Sequence, residues 1–379
     1  MRYFIKFGLI SFFLIGIVSC HKALPVPEPQ PQYDPRNISR TDSTQSAGPW
    51  VAIGPDGTVY VAWMDGGRGL YEPSQIYFRG GNWSDIEILS DSLHDAWAPV
   101  IAADPSGNVD LVWWAHIPGN NTSHIFYRMR YPSGEWSETE MFGNGQPDQP
   151  RIAVDSSGRV HVIWCEGLGM KYMNKSPEGK WSEIESVPVG REGSENPSIY
   201  ADKDGGVHIS YEDYYHDIKY IYRSPSGEWS QPVNLSKSNW YSLYTSVNIA
   251  PDGKIWVFWT EVDHAGGGMS TPYYSIWDGE KWTPPDTVPF HGEVCNNNIL
   301  FSHETPVYVF TDCSWGGDVK AYELAGGRWE EFATMGTDSG ASLATDTTVD
   351  GIGRIHVVWG EWEHMPTGKW EIYYEVILP

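Results

Sequence analysis

Cysteine is scarce in this chain, and basic residues are few beside acidic ones. Four cysteines among 379 residues exclude a miniature scaffold stapled by disulfides. Twenty-five Lys and Arg stand against 49 Asp and Glu, for a formal net charge of −24. Nucleic-acid binding needs a basic footprint, and so does direct adhesion to an anionic membrane surface. Both are excluded as direct partners. Past residue 20 no apolar run is long enough to span a bilayer. No His-Glu-x-x-His, Gly-x-Ser-x-Gly or phosphate loop occurs, so the chemistries those motifs serve have no carrier. The acid surplus reads as solubility outside the cell or as attraction for cationic ligands.

What the chain has is a repeated phrase. A short apolar strand, an Asp-x-x-Gly type of turn and a second strand ending in an aromatic residue recur seven times. The aromatics are Trp63, Trp113, Trp164, Tyr211, Trp259, Phe310 and Trp359. A strand-type pattern with a period of about 50 residues signals a β-propeller. The expected fold is all-β: a seven-bladed propeller of four-stranded antiparallel blades over residues 36–379. One blade reads as Pro197–Ala201, a turn at 202–205, Val207–Tyr211, Ile218–Arg223 and a last strand ending at Ser236. The seventh repeat lacks its outer strand. Arg36–Arg40 resembles Val233–Lys237 and is expected to complete the last blade, closing the ring. Propellers host many functions, so the fold alone does not choose one.

The first residues are set apart from the repeats. Arg2 and Lys6 precede an apolar run from Phe7 to Val18. Ile17-Val18-Ser19-Cys20 resembles a bacterial lipobox. The resemblance implies a signal peptide over 1–19, lipidation of Cys20, and an extracytoplasmic protein on the cell envelope. The absence of Asp after Cys20 favours the outer membrane. Residues 20–35 include LPVPEPQPQYDP, a proline-rich spacer between anchor and domain. Membrane association is expected through the lipid alone, and the protein is expected to be a monomer.

A Gly-x-Trp turn recurs with Trp83, Trp136, Trp181, Trp229 and Trp329, and with one inserted residue at Trp282. Tyr131–Trp136, Ser176–Trp181 and Ser224–Trp229 resemble shortened Asp-box repeats of bacterial-neuraminidase-type, sialidase-like propellers. In that family the box is a structural turn remote from the active site, so these tryptophans are expected to be structural. The family's catalytic arginines are not matched. Arg79, Arg128 and Arg223 end third strands, and Arg151 resembles a first-strand arginine without companions.

Candidate site residues lie where loops join strands two and three and where loops lead into each blade. Two places past the repeat aromatic stand Asp65, Glu166, Asp213, Glu261, Asp312 and Glu361, with Ala115 and then His116 in blade two. Pseudosymmetry would set these carboxylates around the channel mouth. They would then bind a ligand or a hard cation such as Ca²⁺, serve catalysis, or cap their own turns. No other cofactor is expected. Trp114, Trp240 and Tyr241, with neighbouring loop aromatics, form either a sugar platform or packing between blades. His161, His208 and His356 share a mid-strand slot and read as packing residues. Cys295 and Cys313 flank a hairpin centred near Glu304. They form either a disulfide or two free thiols, and an oxidising compartment favours the disulfide. The expected function is non-catalytic binding of a glycan or envelope protein on the loop-rich face. The alternatives are a polysaccharide lyase or glycosidase and an envelope scaffold.

Overall fold

A computed structural model describes residues 36–39, 45–66, 73–81, 83, 85–117, 119, 122–143, 145–262, 269–290, 292–314, 317–336, 341–363 and 369–379. The signal segment, Cys20 and the proline-rich spacer lie outside these residues, as do Trp315, His264 and His364. The described chain forms seven four-stranded antiparallel sheets. The inner strands of blades one to seven are Gln45–Ile53, Asp95–Ala103, Pro147–Val154, Glu195–Ala201, Tyr241–Ile249, Val294–Ser302 and Ser342–Val349. Each lies against the inner strand of the next blade, and the seventh lies against the first. The seven therefore surround a central channel.

The turns follow from local chemistry. Between the inner and second strands, Asp155 accepts the backbone N–H groups of Ser157 and Arg159, and Asp202 those of Asp204 and Gly206. These Asx turns bring Gly158 and Gly205 to φ values of 83° and 86°, which glycine adopts without a Cβ clash. Tight turns of this kind and the Gly-x-Trp turns share one end of the propeller, the turn end. The loops that lead into each blade or join strands two and three share the other, the loop end.

The core is a set of seams rather than one mass. Seven apolar clusters sit between successive blades. The repeat aromatics are buried in them: Trp63, Trp164, Tyr211, Trp259, Phe310 and Trp359 are fully enclosed and Trp113 nearly so. Each Gly-x-Trp indole packs edge-on against an aromatic of the preceding blade. Examples are Trp181 on Tyr127, Trp229 on Tyr172 and Trp282 on Tyr220. The indole N–H of Trp136, Trp181 and Trp229 donates to Glu87, Glu140 and Glu185 of the preceding outer strand. A cation from the third strand joins each clamp, at Arg130, Lys175 and Arg223. These tryptophans are structural, as the repeat pattern implies.

The seventh blade is assembled from both ends of the domain. Arg36–Asn37 pairs antiparallel with Lys369–Ile377, with Asn37 opposite Tyr373. Ile38 donates its N–H to Ile372 at 2.7 Å and is buried with Trp63, Val358 and Tyr374. Arg79 binds the Ile38 carbonyl at 2.7 Å, and Trp83 packs on Tyr374.

The mid-strand histidines do more than fill space. His161 bridges Asp155 and Tyr172, His208 bridges Asp202 and Tyr220, and His356 bridges Asp350 and Tyr374. In blade two Asp110 holds this slot and accepts the Tyr127 hydroxyl at 2.5 Å. Burial raises the Asp110 carboxyl to about 7 against that hydrogen bond.

Candidate functional site

Every inner strand carries a β-bulge near the loop end. The register slips between Ala47 and Trp50, Trp97 and Val100, Asp148 and Arg151, Glu195 and Ser198, Leu243 and Ser246, Val294 and Asn296, and Leu343 and Asp346. Gly48, Ala98, Gln149, Asn196 and Tyr244 turn left-handed there, with φ between 45° and 57°. For the four that are not glycine this costs about 1 kcal/mol each. Proline follows the left-handed residue inside the bulge in four blades, at Pro49, Pro99, Pro150 and Pro197. Proline inside a strand is confined to edges and bulges, so these positions were the missed sequence signal.

The acidic positions are engaged by partners in their own blades. Asp65 accepts the Ser46 hydroxyl at 2.7 Å and the Trp63 indole at 3.4 Å. Glu166 takes the Trp164 indole at 3.0 Å and Glu261 that of Trp259 at 3.1 Å. Glu361 accepts Trp359 and the Ser342 hydroxyl, both at 2.8 Å. Asp213 accepts the N–H groups of Tyr215 and Asp217 at 2.9 Å and pairs with Lys219 at 3.1 Å. Asp312 accepts the Ser314 N–H and hydroxyl. For the four that meet an indole the reason is the strand period of two. It puts a residue two places on beside the aromatic, turned toward the blade seam. Among the described residues no three His, Cys, Asp or Glu side chains form a metal-ligating group. Each of the six therefore makes contacts within its own blade, which is the turn-capping alternative of the sequence reading.

One place past the aromatic the side chain faces the other way. Glu212 stands there in blade four, and the sequence pattern did not single it out. It is buried opposite Glu195 and accepts the Tyr244 N–H at 2.5 Å. Burial lifts its carboxyl to about 7. Cys165 holds the same place in blade three, and burial raises its thiol to about 12, well away from nucleophilic use.

The loop-end aromatics fall into two clusters. At the junction of blades four and five, Tyr214, Tyr215, Trp240 and Tyr241 are between 42% and 68% exposed. His216 lies 4.3 Å from the Tyr241 ring, and the Ser242 N–H donates to its carbonyl. On blade two, Trp97 stacks on Trp114 at 6.3 Å, and His116 meets Trp114 edge-on at 5.1 Å. Trp97 and Trp114 face each other across paired strands, which fixes both rings.

Cys295 and Cys313 are joined in a disulfide, with Cα atoms 5.9 Å apart. The bond lies at the blade-six bulge, where Val294 opposes Asp312 and Asn296 opposes Thr311. Blade six thus has a covalent link where five other blades have a left-handed residue.

The chain is similar to solved propellers. An ulvan lyase from a polysaccharide lyase family matches at TM-score 0.63 and 13% identity, over 89% of this chain and 95% of that one. A protein of unknown function from Dyadobacter fermentans matches at TM-score 0.56 and 12% identity, over 89% and 95%. The β-propeller domain of the trilobed protease from Pyrococcus furiosus matches at TM-score 0.55 and 12% identity, over 88% and 97%. At these identities the likeness establishes the fold. No protein-family profile matches the chain, and no curated protein matches it in sequence.

Proposed function

We propose that this protein is a lipid-anchored, extracytoplasmic propeller that binds a glycan on its loop end without turning it over. The observation that carries the reading is the exposed cluster of Tyr214, Tyr215, Trp240 and Tyr241. Burying large apolar rings stabilises a propeller, and here the rings face solvent instead. Aromatic faces beside hydroxyls and a histidine suit the apolar faces and hydroxyl edges of a sugar. The carboxylates two places past the repeat aromatic accept indole and turn N–H groups of their own blades. Cys20 would carry the lipid, the outer membrane would be the site, and the working form would be a monomer. The test is titration with envelope and algal polysaccharides. Saturable binding that falls on Trp240→Ala or Trp114→Ala, without release of reducing or unsaturated ends, is the expected result. Envelope-protein capture with no glycan binding would overturn it in favour of a scaffold.

A second reading rests on Glu212. A buried carboxyl raised to about 7 at the loop end is the kind of group that acts as a general acid. In that reading the chain is a polysaccharide-active enzyme, and Glu212→Gln abolishes turnover while leaving Trp240-dependent binding intact.

A further inference from the structure

We propose that the glycan bound at the junction of blades four and five is cationic, with free amino groups as in a polymer of glucosamine. The inference rests on the loop-end reading above and goes beyond it by naming the charge of the sugar. Tyr214 and Tyr215 stand at 80° to one another with ring centroids 6.0 Å apart, so their faces form two walls at nearly a right angle. Trp240 and Tyr241 are exposed on the neighbouring blade. The face of an aromatic ring is electron-rich and attracts an ammonium within about 6 Å of its centre. The same faces take the apolar side of a sugar ring, which favours an amino sugar over a lysine side chain.

Carboxylates belong to the same loops. Asp213 and Asp217 flank Tyr214, Tyr215 and His216 in sequence. Glu192 lies in the loop entering blade four, and its carbonyl accepts the Tyr214 N–H at 2.7 Å. One lysine serves all three: Lys219 is 3.1 Å from Asp213, 3.4 Å from Glu192 and 3.8 Å from Asp217. Burial would lower that ammonium, but Asp213 and its companions outweigh burial and hold it above its ordinary value. The lysine balances one of three negative charges, and the Glu192 side chain stays half exposed. Arg191 and Lys237 are exposed on the same loops and are offset by Glu195 and Glu261. The surplus that remains is negative.

Blade five also departs from its siblings at a buried hydroxyl. Ser242 stands opposite Glu261 in the paired strands, as Ser46 stands opposite Asp65 and Ser342 opposite Glu361. Ser46 and Ser342 donate to those carboxylates at 2.7 and 2.8 Å. Residues opposite each other in an antiparallel pair project to the same side, so Ser242 turns toward Glu261. Yet Glu261 takes a hydrogen bond from Ser238, whose hydroxyl accepts the Trp240 N–H at 3.1 Å. The fully buried Ser242 hydroxyl is left without a partner among the described residues, and so is Nδ1 of His216. The junction is thus rich in acceptors, whereas an ammonium carries donors alone. A uronic acid would meet uncompensated negative charge here, a neutral sugar would gain ring contacts only, and an amino sugar gains both.

The test is isothermal titration calorimetry of the intact protein with the hexamer of glucosamine, its fully N-acetylated counterpart and the hexamer of galacturonate, in slightly acidic buffer that keeps the amines charged. Saturable binding of the amino hexamer, at least about tenfold tighter than the acetylated one, is expected, with no saturation by galacturonate. The preference should shrink as salt is raised, because exposed charges are screened. Glu192→Gln removes one half-exposed charge, so it should keep the melting temperature and narrow the preference by about threefold. A preference unchanged by Glu192→Gln, or acetylated or galacturonate hexamer binding as tightly as the amino form, would overturn the proposal and leave the loop-end reading standing. Hexalysine binding as tightly as the amino hexamer would give the site to a basic peptide and overturn it as well. If the hexamers fail while another polysaccharide binds through Trp240, this proposal alone falls. If no polysaccharide binds, the loop-end reading falls and takes the proposal with it.

Discussion

Trp181 and Trp240 are the same residue type at opposite ends of one propeller. At the turn end the half-buried Trp181 packs edge-on against Tyr127 and Phe142, and its N–H is given to Glu140. At the loop end Trp240 is 42% exposed, beside the exposed Tyr241. The carboxylates are engaged at both ends. Those two places past the repeat aromatic are tied down near the loop end, whereas at the turn end Glu87, Glu140 and Glu185 clamp the indoles of the next blade. The difference teaches that repetition marks what holds blades together. Function is better sought where one blade departs from its siblings.

The largest expected effect tests this directly. Trp181→Ala should cost about 4 kcal/mol of stability in urea unfolding, because an indole, its hydrogen bond and its edge contact are lost together. Trp240→Ala should stay within about 0.5 kcal/mol. Equal costs would break the comparison. The disulfide comes next. Replacing both Cys295 and Cys313 by Ser should cost about 3 kcal/mol, from the freedom regained by an unfolded loop of this length. The same pair of variants should leave Trp181-dependent stability unchanged, since the bond lies at the loop end.

A smaller effect depends on pH. Asp110 has a carboxyl raised by burial to about 7, against about 4 in an unfolded chain. The folded state holds the proton more tightly, so this group's contribution is fully present below about pH 4 and is lost as pH rises toward 7. Asp110→Asn removes that loss. Relative to the parent, the variant should gain stability steadily between pH 4 and pH 8, read by urea unfolding at both values. A pH-independent difference would show that the proton is not held there. The smallest energetic effect is expected at the loop end, where Trp240→Ala should weaken glycan binding by about tenfold, or about 1.4 kcal/mol. An unchanged affinity would move the ligand to the Trp97–Trp114 pair on blade two.

Much of the architecture was legible in the chain. The repeat aromatics are separated by a nearly constant interval and all are buried. The near-equal distances of Cys295 and Cys313 from the hairpin turn allow either a disulfide or two thiols, and the structure shows the disulfide at the bulge. The candidate site was less legible. Recurrence of an acid two places past the aromatic was visible, but its orientation followed from strand alternation, which sends Asp65, Glu166, Glu261 and Glu361 to the indole, while Asp213 and Asp312 cap their own loops. Glu212, one place earlier, faces the other way and has no counterpart in its siblings to draw attention. The bulges are signalled by Pro49, Pro99, Pro150 and Pro197 in four blades and by no proline in the other three.

The sequence by itself determined the number of blades, the turn chemistry and the residues that pack each seam. These are local or nearest-neighbour properties, and each repeat states them again. The tertiary structure alone decided what meets in the channel. Trp50, Arg151, Ser198 and Asp346 belong to blades one, three, four and seven, far apart along the chain. They share one cavity because seven bulged inner strands converge on a single axis, a geometry that no individual repeat contains.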